Sequence, residues 1–147
     1  RYYIRESFPG PVRFYDALDS RVCVIKLIPG MAPGILDYVA EHAHAVVIES
    51  FGVGGLPGGE HGAMFAELRR WCDSGRLAVF TTQVPHEGCD LAVYEVGRAV
   101  GELPGVLEAH DMTPEAVAVK LMWALGQTQD RAEVMRLFET PVEIDII

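Results

Sequence analysis

The chain has 147 residues, half of them apolar, and a formal charge of −9, which is enough material for one domain with one proper core. Its 15 glycines and 9 prolines suit a globular chain with many tight loops, and the apolar content excludes disorder over most of its length. The 12 basic residues are outnumbered by 21 acidic ones and scattered, with Arg69-Arg70 the only adjacent pair; that argues against nucleic acid, whose phosphates demand clustered cations.

In chain order, residues 1 to about 20, with Tyr2, Tyr3, Phe8, Phe14 and Tyr15, fit no regular pattern and read as the tail of a preceding unit, an interdomain connection. A first solid apolar run, Val22 to Ile28, is rich in β-branched residues and predicts a strand. Pro33 is then a good first helical residue for the stripe Ile35, Leu36, Val39, Ala40 and Ala43. A second strand is expected at Ala45–Ile48. Over 61–74 a helix presents Met64, Phe65, Leu68, Trp71 and Cys72 on one face and Glu67, Arg69, Arg70 and Asp73 on the other. Gly75 stands where a left-handed cap is wanted.

A third strand is expected at Leu77–Thr81 and a weaker fourth at Val106–Ala109. Thr113 caps and Pro114 opens a helix running roughly to Leu125, charged only at Glu115 and Lys120. A helix apolar nearly all round must be covered on more than one side, by the sheet and by another layer or subunit. A last helix is expected over Asp130–Glu139. The tail from Val142 to Ile147 alternates weakly, as an edge strand or docking segment would. Strands covered on both faces and alternating with helices predict an α/β fold. The expected form is a three-layer α/β/α sandwich whose mostly parallel sheet has about four strands.

Ligands of parallel sheets sit beyond the carboxyl ends of the strands, so the loops 29–34, 51–59 and 82–90 are where chemistry is to be sought. The glycines of the second invite a phosphate reading. Counting GxGxxG from Gly52, however, puts Pro57 in the last glycine's place, and no GK[ST] follows. In the third loop Thr81, Thr82, His86, Cys89 and Asp90 are polar candidates, and a Cys-His pair there has no assured geometry. Lys26, alone in an apolar strand, is a candidate buried base, but snorkelling at a sheet edge is the favoured reading.

His42 and His44 suit a helix end, His61 opens a helix and His110 precedes a cap. No histidine or cysteine spacing suggests a metal, and no cofactor is expected. Cys23, Cys72 and Cys89, odd in number and unclustered, suit a reducing compartment. Neither a signal-peptide pattern nor an 18-residue apolar stretch occurs, so no membrane partner is expected. A chain opening on Arg1 rather than Met is expected to be a fragment, although a removed signal peptide would leave the same trace.

Three segments together carry a resemblance. Val24-Ile25-Lys26-Leu27-Ile28-Pro29-Gly30-Met31 is followed by Val46-Val47-Ile48-Glu49-Ser50-Phe51-Gly52-Val53-Gly54-Gly55-Leu56-Pro57. Then come Thr82-Gln83, Tyr94-Glu95-Val96-Gly97, Asp111-Met112-Thr113-Pro114-Glu115-Ala116 and Lys120-Leu121. In order and spacing they resemble the C-terminal half of the asparaginase/glutaminase family, of the cytoplasmic type, over about residues 20–125. The resemblance implies hydrolysis of L-asparagine to L-aspartate and ammonia in the complete protein. The catalytic threonines, an Asp and a Lys would lie in an N-terminal domain bearing T-G-G-T and H-G-T-D motifs, neither of which occurs here. No catalytic residue is therefore assigned to this chain, and alone it is expected to be inactive.

The resemblance further implies that residues 21–147 are the C-terminal domain, packed against its own N-terminal domain and a second subunit in a homodimer or homotetramer. The glycine loop would close the neighbouring subunit's site. Substrate-site candidates carried over on this basis are Gly52, Gly54, Gly55, Thr82, Gln83, Asp90 and Glu95, and the expected location is the cytoplasm. Gly55 departs from the family's Asn. Glu49 and Val84 replace the Arg and Cys of an effector pocket found in some members, so that regulation is not expected. Two alternatives remain: the D-type subunit of a tRNA-dependent amidotransferase, which the acid excess disfavours, and a non-catalytic ligand-binding or oligomerisation module.

Overall fold

The computed structural model describes residues 10–12, 14–84, 86–142 and 145–146. Tyr2, Tyr3 and Phe8 of the expected connection, and Glu143, Ile144 and Ile147 of the expected tail segment, lie outside the described residues. The described elements are β1 (Val22–Lys26), α1 (Ile35–Ala40), β2 (Ala45–Ser50), a 3-10 turn (Gly59–His61), α2 (Ala63–Asp73), β3 (Leu77–Thr82), α3 (Glu95–Gly101), β4 (Val106–Glu108), α4 (Pro114–Gln127) and α5 (Arg131–Glu139).

The four strands lie in sequence order, β1-β2-β3-β4, and every pair is parallel. Right-handed crossovers in a sheet that grows in one direction put all connecting helices on one face. That face holds Val46, Ile48, Ala78 and Phe80 under α1, α2 and α3, in one cluster with Leu36, Leu68, Trp71 and Val100. The alternate strand residues Val47, Leu77, Val79 and Leu107 meet Val117, Leu121, Val134 and Phe138 of α4 and α5 on the other. Burial of both faces is why the strands are solid rather than alternating in hydrophobicity. Since strand order never reverses, the described sheet has no topological switch point. The loops at its carboxyl edge form a row, not a crevice between two sets of helices.

Local signals decide several boundaries. Gly75 has φ 89° just past α2, the left-handed conformation a side chain resists. Thr113 caps α4, its side chain accepting from Ala116 N at 3.3 Å, and Asp130 caps α5 by accepting from Ala132 N at 2.9 Å. Three expectations need correction. Pro33 does not open α1, which starts at Ile35 with Gly34 as its N-cap at φ 100°. β1 stops at Lys26, short of Ile28. Glu67 is not on a solvated face: it is 2% exposed, and its carboxylate accepts from Gly34 N at 2.5 Å and Leu36 N at 3.3 Å. A negative charge from α2 thus caps α1, whose own N-cap residue has no side chain to do so. A seven-residue helix, α3, also stands where none was anticipated.

Helix α4 is covered by its own chain on more than the sheet side. Asp19 N donates to Met122 O at 2.9 Å, Gln127 Nε2 donates to Ala17 O at 2.8 Å, and the Tyr15 and Trp123 rings meet edge to face at 5.4 Å. Lys120, 7% exposed, forms an ion pair with Asp145 at 2.7 Å. Val119 nevertheless stays 59% exposed beside Leu18 and Val142, along an apolar groove of about 740 Å³.

Candidate functional site

The loops at the carboxyl edge are knit to one another by hydrogen bonds. β2 ends in Ser50, and Phe51 turns back on Gly55: Phe51 N donates to Gly55 O at 3.1 Å and Gly55 N to Phe51 O at 2.7 Å. The turn needs glycine at Gly54, where φ is 151° and a Cβ would stand 2.7 Å from Leu91 Cδ2. Backbone, not side chain, is therefore what this loop presents. From the end of β3, Thr82 Oγ1 donates to Gly52 O and accepts from Val84 N at 3.0 Å. Farther along the same connection, Asp90 N donates to Val53 O at 3.0 Å. The candidates Gly52, Gly54, Gly55 and Thr82 are thus brought together, and the backbone of Asp90 joins them.

The remaining candidates are placed differently. Gln83 turns toward the other strand ends, where its Nε2 donates to Leu27 O and Glu49 O, each at 2.8 Å. It fastens β1 to β2. The exposed Asp90 carboxylate closes its own turn by accepting from Ala92 N at 2.9 Å. Glu95 is exposed in the first turn of α3, where its charge suits the helix N-terminus, and it stands outside the loop-to-loop bonds just described.

Potential nucleophiles here are occupied or suppressed. Ser50 Oγ, buried, donates to Thr81 O at 2.8 Å, and Thr81 itself is 1% exposed. Cys89 is 3% exposed, and burial, with smaller contributions from Glu108 and Asp90, pushes its thiol up to about 12. A thiol held neutral is neither nucleophile nor ligand. Native Cys89 should therefore resist iodoacetamide at about pH 8 and react only as the chain unfolds; labelling located at Cys89 itself in the folded protein would contradict its burial. A raised folded value favours the neutral thiol, so its contribution is complete below the unfolded value of about 8.5 and is lost as pH climbs toward the folded one.

Lys26 is a surface lysine, its side chain 61% exposed and 3.5 Å from Glu49 Oε2, as expected for a sheet edge. His44 Nδ1 lies 3.2 Å from Asp19 Oδ2 and His42 Nδ1 3.1 Å from Tyr38 O. Among the described residues no group of three or more His, Cys, Asp or Glu is arranged to hold a metal ion, and no described helix is long and apolar enough to cross a membrane. Beside the knit loops, Gly88, Cys89, Asp90, Glu108, His110 and Asp111 line a surface cleft of about 450 Å³. Sequence reasoning did not single out Glu108, whose Oε2 accepts from Leu91 N at 3.1 Å. A carboxylate at the end of a short apolar run was the only local signal.

Comparison with known proteins fits this geometry. Residues 21–138 match the model of the glutaminase/asparaginase C-terminal domain. The chain is 39% identical over 137 residues to an L-asparaginase of Thermococcus kodakarensis, covering 93% of this chain and 41% of that protein. It is 32% identical over 137 residues to the D-type subunit of the glutamyl-tRNA(Gln) amidotransferase of Pyrococcus furiosus, covering 92% of this chain and 30% of that protein. Among solved structures, the thermostable L-asparaginase of Thermococcus kodakarensis superposes with a TM-score of 0.84 at 37% identity, over 95% of this chain and 42% of that one. The chain thus spans less than half the length of these relatives. With its parallel sheet, its knit glycine loop and a family match over 21–138, this chain belongs to the glutaminase/asparaginase C-terminal domain family.

Proposed function

We propose that the chain is the C-terminal domain of a cytoplasmic-type L-asparaginase, hydrolysing the side-chain amide of L-asparagine to L-aspartate and ammonia. The observation that carries the reading is the carboxyl edge of the sheet. A backbone-presenting loop, 51–55, is clamped by the 82–91 connection, while the hydroxyls and the thiol beside it are hydrogen-bonded or held neutral. Such an edge can wall a pocket, but a nucleophile needs an activating base within hydrogen-bond reach. The catalytic threonines belong to an N-terminal domain joined through residues 1–20. The family match over 21–138 supports that boundary.

In this reading the turn of Gly52, Gly54 and Gly55 stands against the substrate as a tightly bonded wall, Thr82 holds that loop, and Gln83 fastens the strand ends beneath. Asp90 and Glu95 are the carboxylates available to its ammonium group. The loop closes the site of a second subunit in a homodimer or homotetramer, and the exposed apolar groove along α4 supports such a contact. Three cysteines with no disulfide support a reducing cytoplasm.

The test is release of ammonia and L-aspartate from L-asparagine by the complete protein, beside residues 1–147 alone. The complete protein should turn over, and the isolated chain should match buffer. Turnover by the isolated chain would overturn the division of labour. Glutamine-dependent amidation of glutamyl-tRNA, with no asparagine hydrolysis, would favour the amidotransferase reading suggested by the second relative.

A further inference from the structure

We infer that Glu108 is a positioning residue for the glycine loop, an assignment that rests on the loop's proposed place at the substrate. Glu108 is the last residue of β4, in register with Phe80 of β3. Its Oε2 accepts from Leu91 N at 3.1 Å, and two residues along the chain His110 O accepts from Cys89 N at 2.8 Å. The segment 89–91 is thereby bonded along one side to the end of the sheet.

Along its other side the same segment grips the loop. Asp90 N donates to Val53 O at 3.0 Å, Cys89 Sγ lies 3.5 Å from Val53 O, and the 2%-exposed Leu91 packs directly over Gly54. A carboxylate accepts a backbone N–H more strongly than a neutral oxygen does, and among the described residues no strand or helix supplies Leu91 N with another acceptor. Glu108 therefore transmits the rigidity of the sheet to Val53 and Gly54 without touching the substrate. Loss of its acceptor frees the segment, and the glycine turn loses the wall that fixes it.

The experiment uses the complete protein with three substitutions. Glu108→Leu removes the acceptor, Glu108→Gln keeps a carbonyl oxygen in its place, and Val134→Ala weakens the opposite face of the sheet. In Glu108→Leu, KM for L-asparagine should rise at least about tenfold while kcat changes less than about threefold, because the pocket wall and not the reacting groups is displaced. Glu108→Gln should restore KM to within about threefold of the parent, and Val134→Ala should lower Tm without moving KM.

Hydrogen exchange supplies a readout independent of the substrate. The Gly54 and Gly55 amides, both bonded to Phe51 O, should exchange at least about tenfold faster in Glu108→Leu relative to the Val47 and Val79 amides. Unchanged exchange at those glycines, or a KM no different from that of Val134→Ala, would overturn the assignment. If the parent protein hydrolyses no asparagine, the functional reading fails, and exchange alone still decides the role of Glu108.

Discussion

Glu67→Ala should lower the unfolding free energy by about 3 kcal/mol, since a hydrogen bond to a charged group contributes about 1.5–3 kcal/mol and two are lost together. The carboxylate is 2% exposed and joins α2 to the backbone N–H groups of Gly34 and Leu36. A glycine N-cap offers no side-chain acceptor of its own, so water or nothing must replace Glu67, and the buried Leu36 N is poorly placed for water. Some loss is offset because a charge no longer needs to be buried. Glu67→Gln keeps one acceptor and the side-chain volume, so it should cost about half as much. Denaturant unfolding at constant m measures both; a change below about 1 kcal/mol for the alanine variant would mean that α1 finds its capping elsewhere.

Phe138→Ala should cost about 3–5 kcal/mol, the range for emptying a buried aromatic site. Phe138 is fully buried in the cluster formed with Val117, Leu121 and Val134, and its ring centroid lies 5.7 Å from Lys120 Nζ. The ring both fills the α4–α5 interface and gives the buried ammonium a favourable face. Its loss should act on one layer first: amides of α5 should exchange faster well before those of α2, which packs on the other face of the sheet. Equal acceleration in α2 and α5 would show the two layers to be a single cooperative unit.

Much of the fold was legible because its signals are local. Val46-Val47-Ile48 and Leu77-Ala78-Val79-Phe80 are solid apolar runs, and only strands covered on both faces tolerate them. Thr113-Pro114, Asp130 and Gly75 mark helix ends through their own side chains or the lack of one. The order of short motifs from Val24 to Leu121 carried the family likeness that residues 21–138 bear out. By contrast, α3 has seven residues, two of them glycine, too few turns for a 3.6-residue period to emerge. Pro33 looked like a helix start because the sequence does not reveal that Gly34 adopts φ 100°.

The loop cluster shows the same divide. The expectation that 51–59 and 82–90 face one region rested on their positions after strands, and the structure brings Thr82 to Gly52 and Asp90 to Val53. That Gln83 instead stitches Leu27 to Glu49 was invisible, because both acceptors are backbone carbonyls 34 and 56 residues away in the chain.

Composition, hydrophobic runs and capping residues were enough to specify an acidic parallel α/β domain with its glycine loops on one edge. Those properties depend on each residue and its immediate neighbours. It took the folded arrangement to establish that Glu67 caps a helix 31 to 33 residues away, that Glu108 holds Leu91, and that residues 15–19 lie against α4. Each of those contacts joins groups distant in the chain, and a buried polar group's partner is set by packing once the sheet has brought them together.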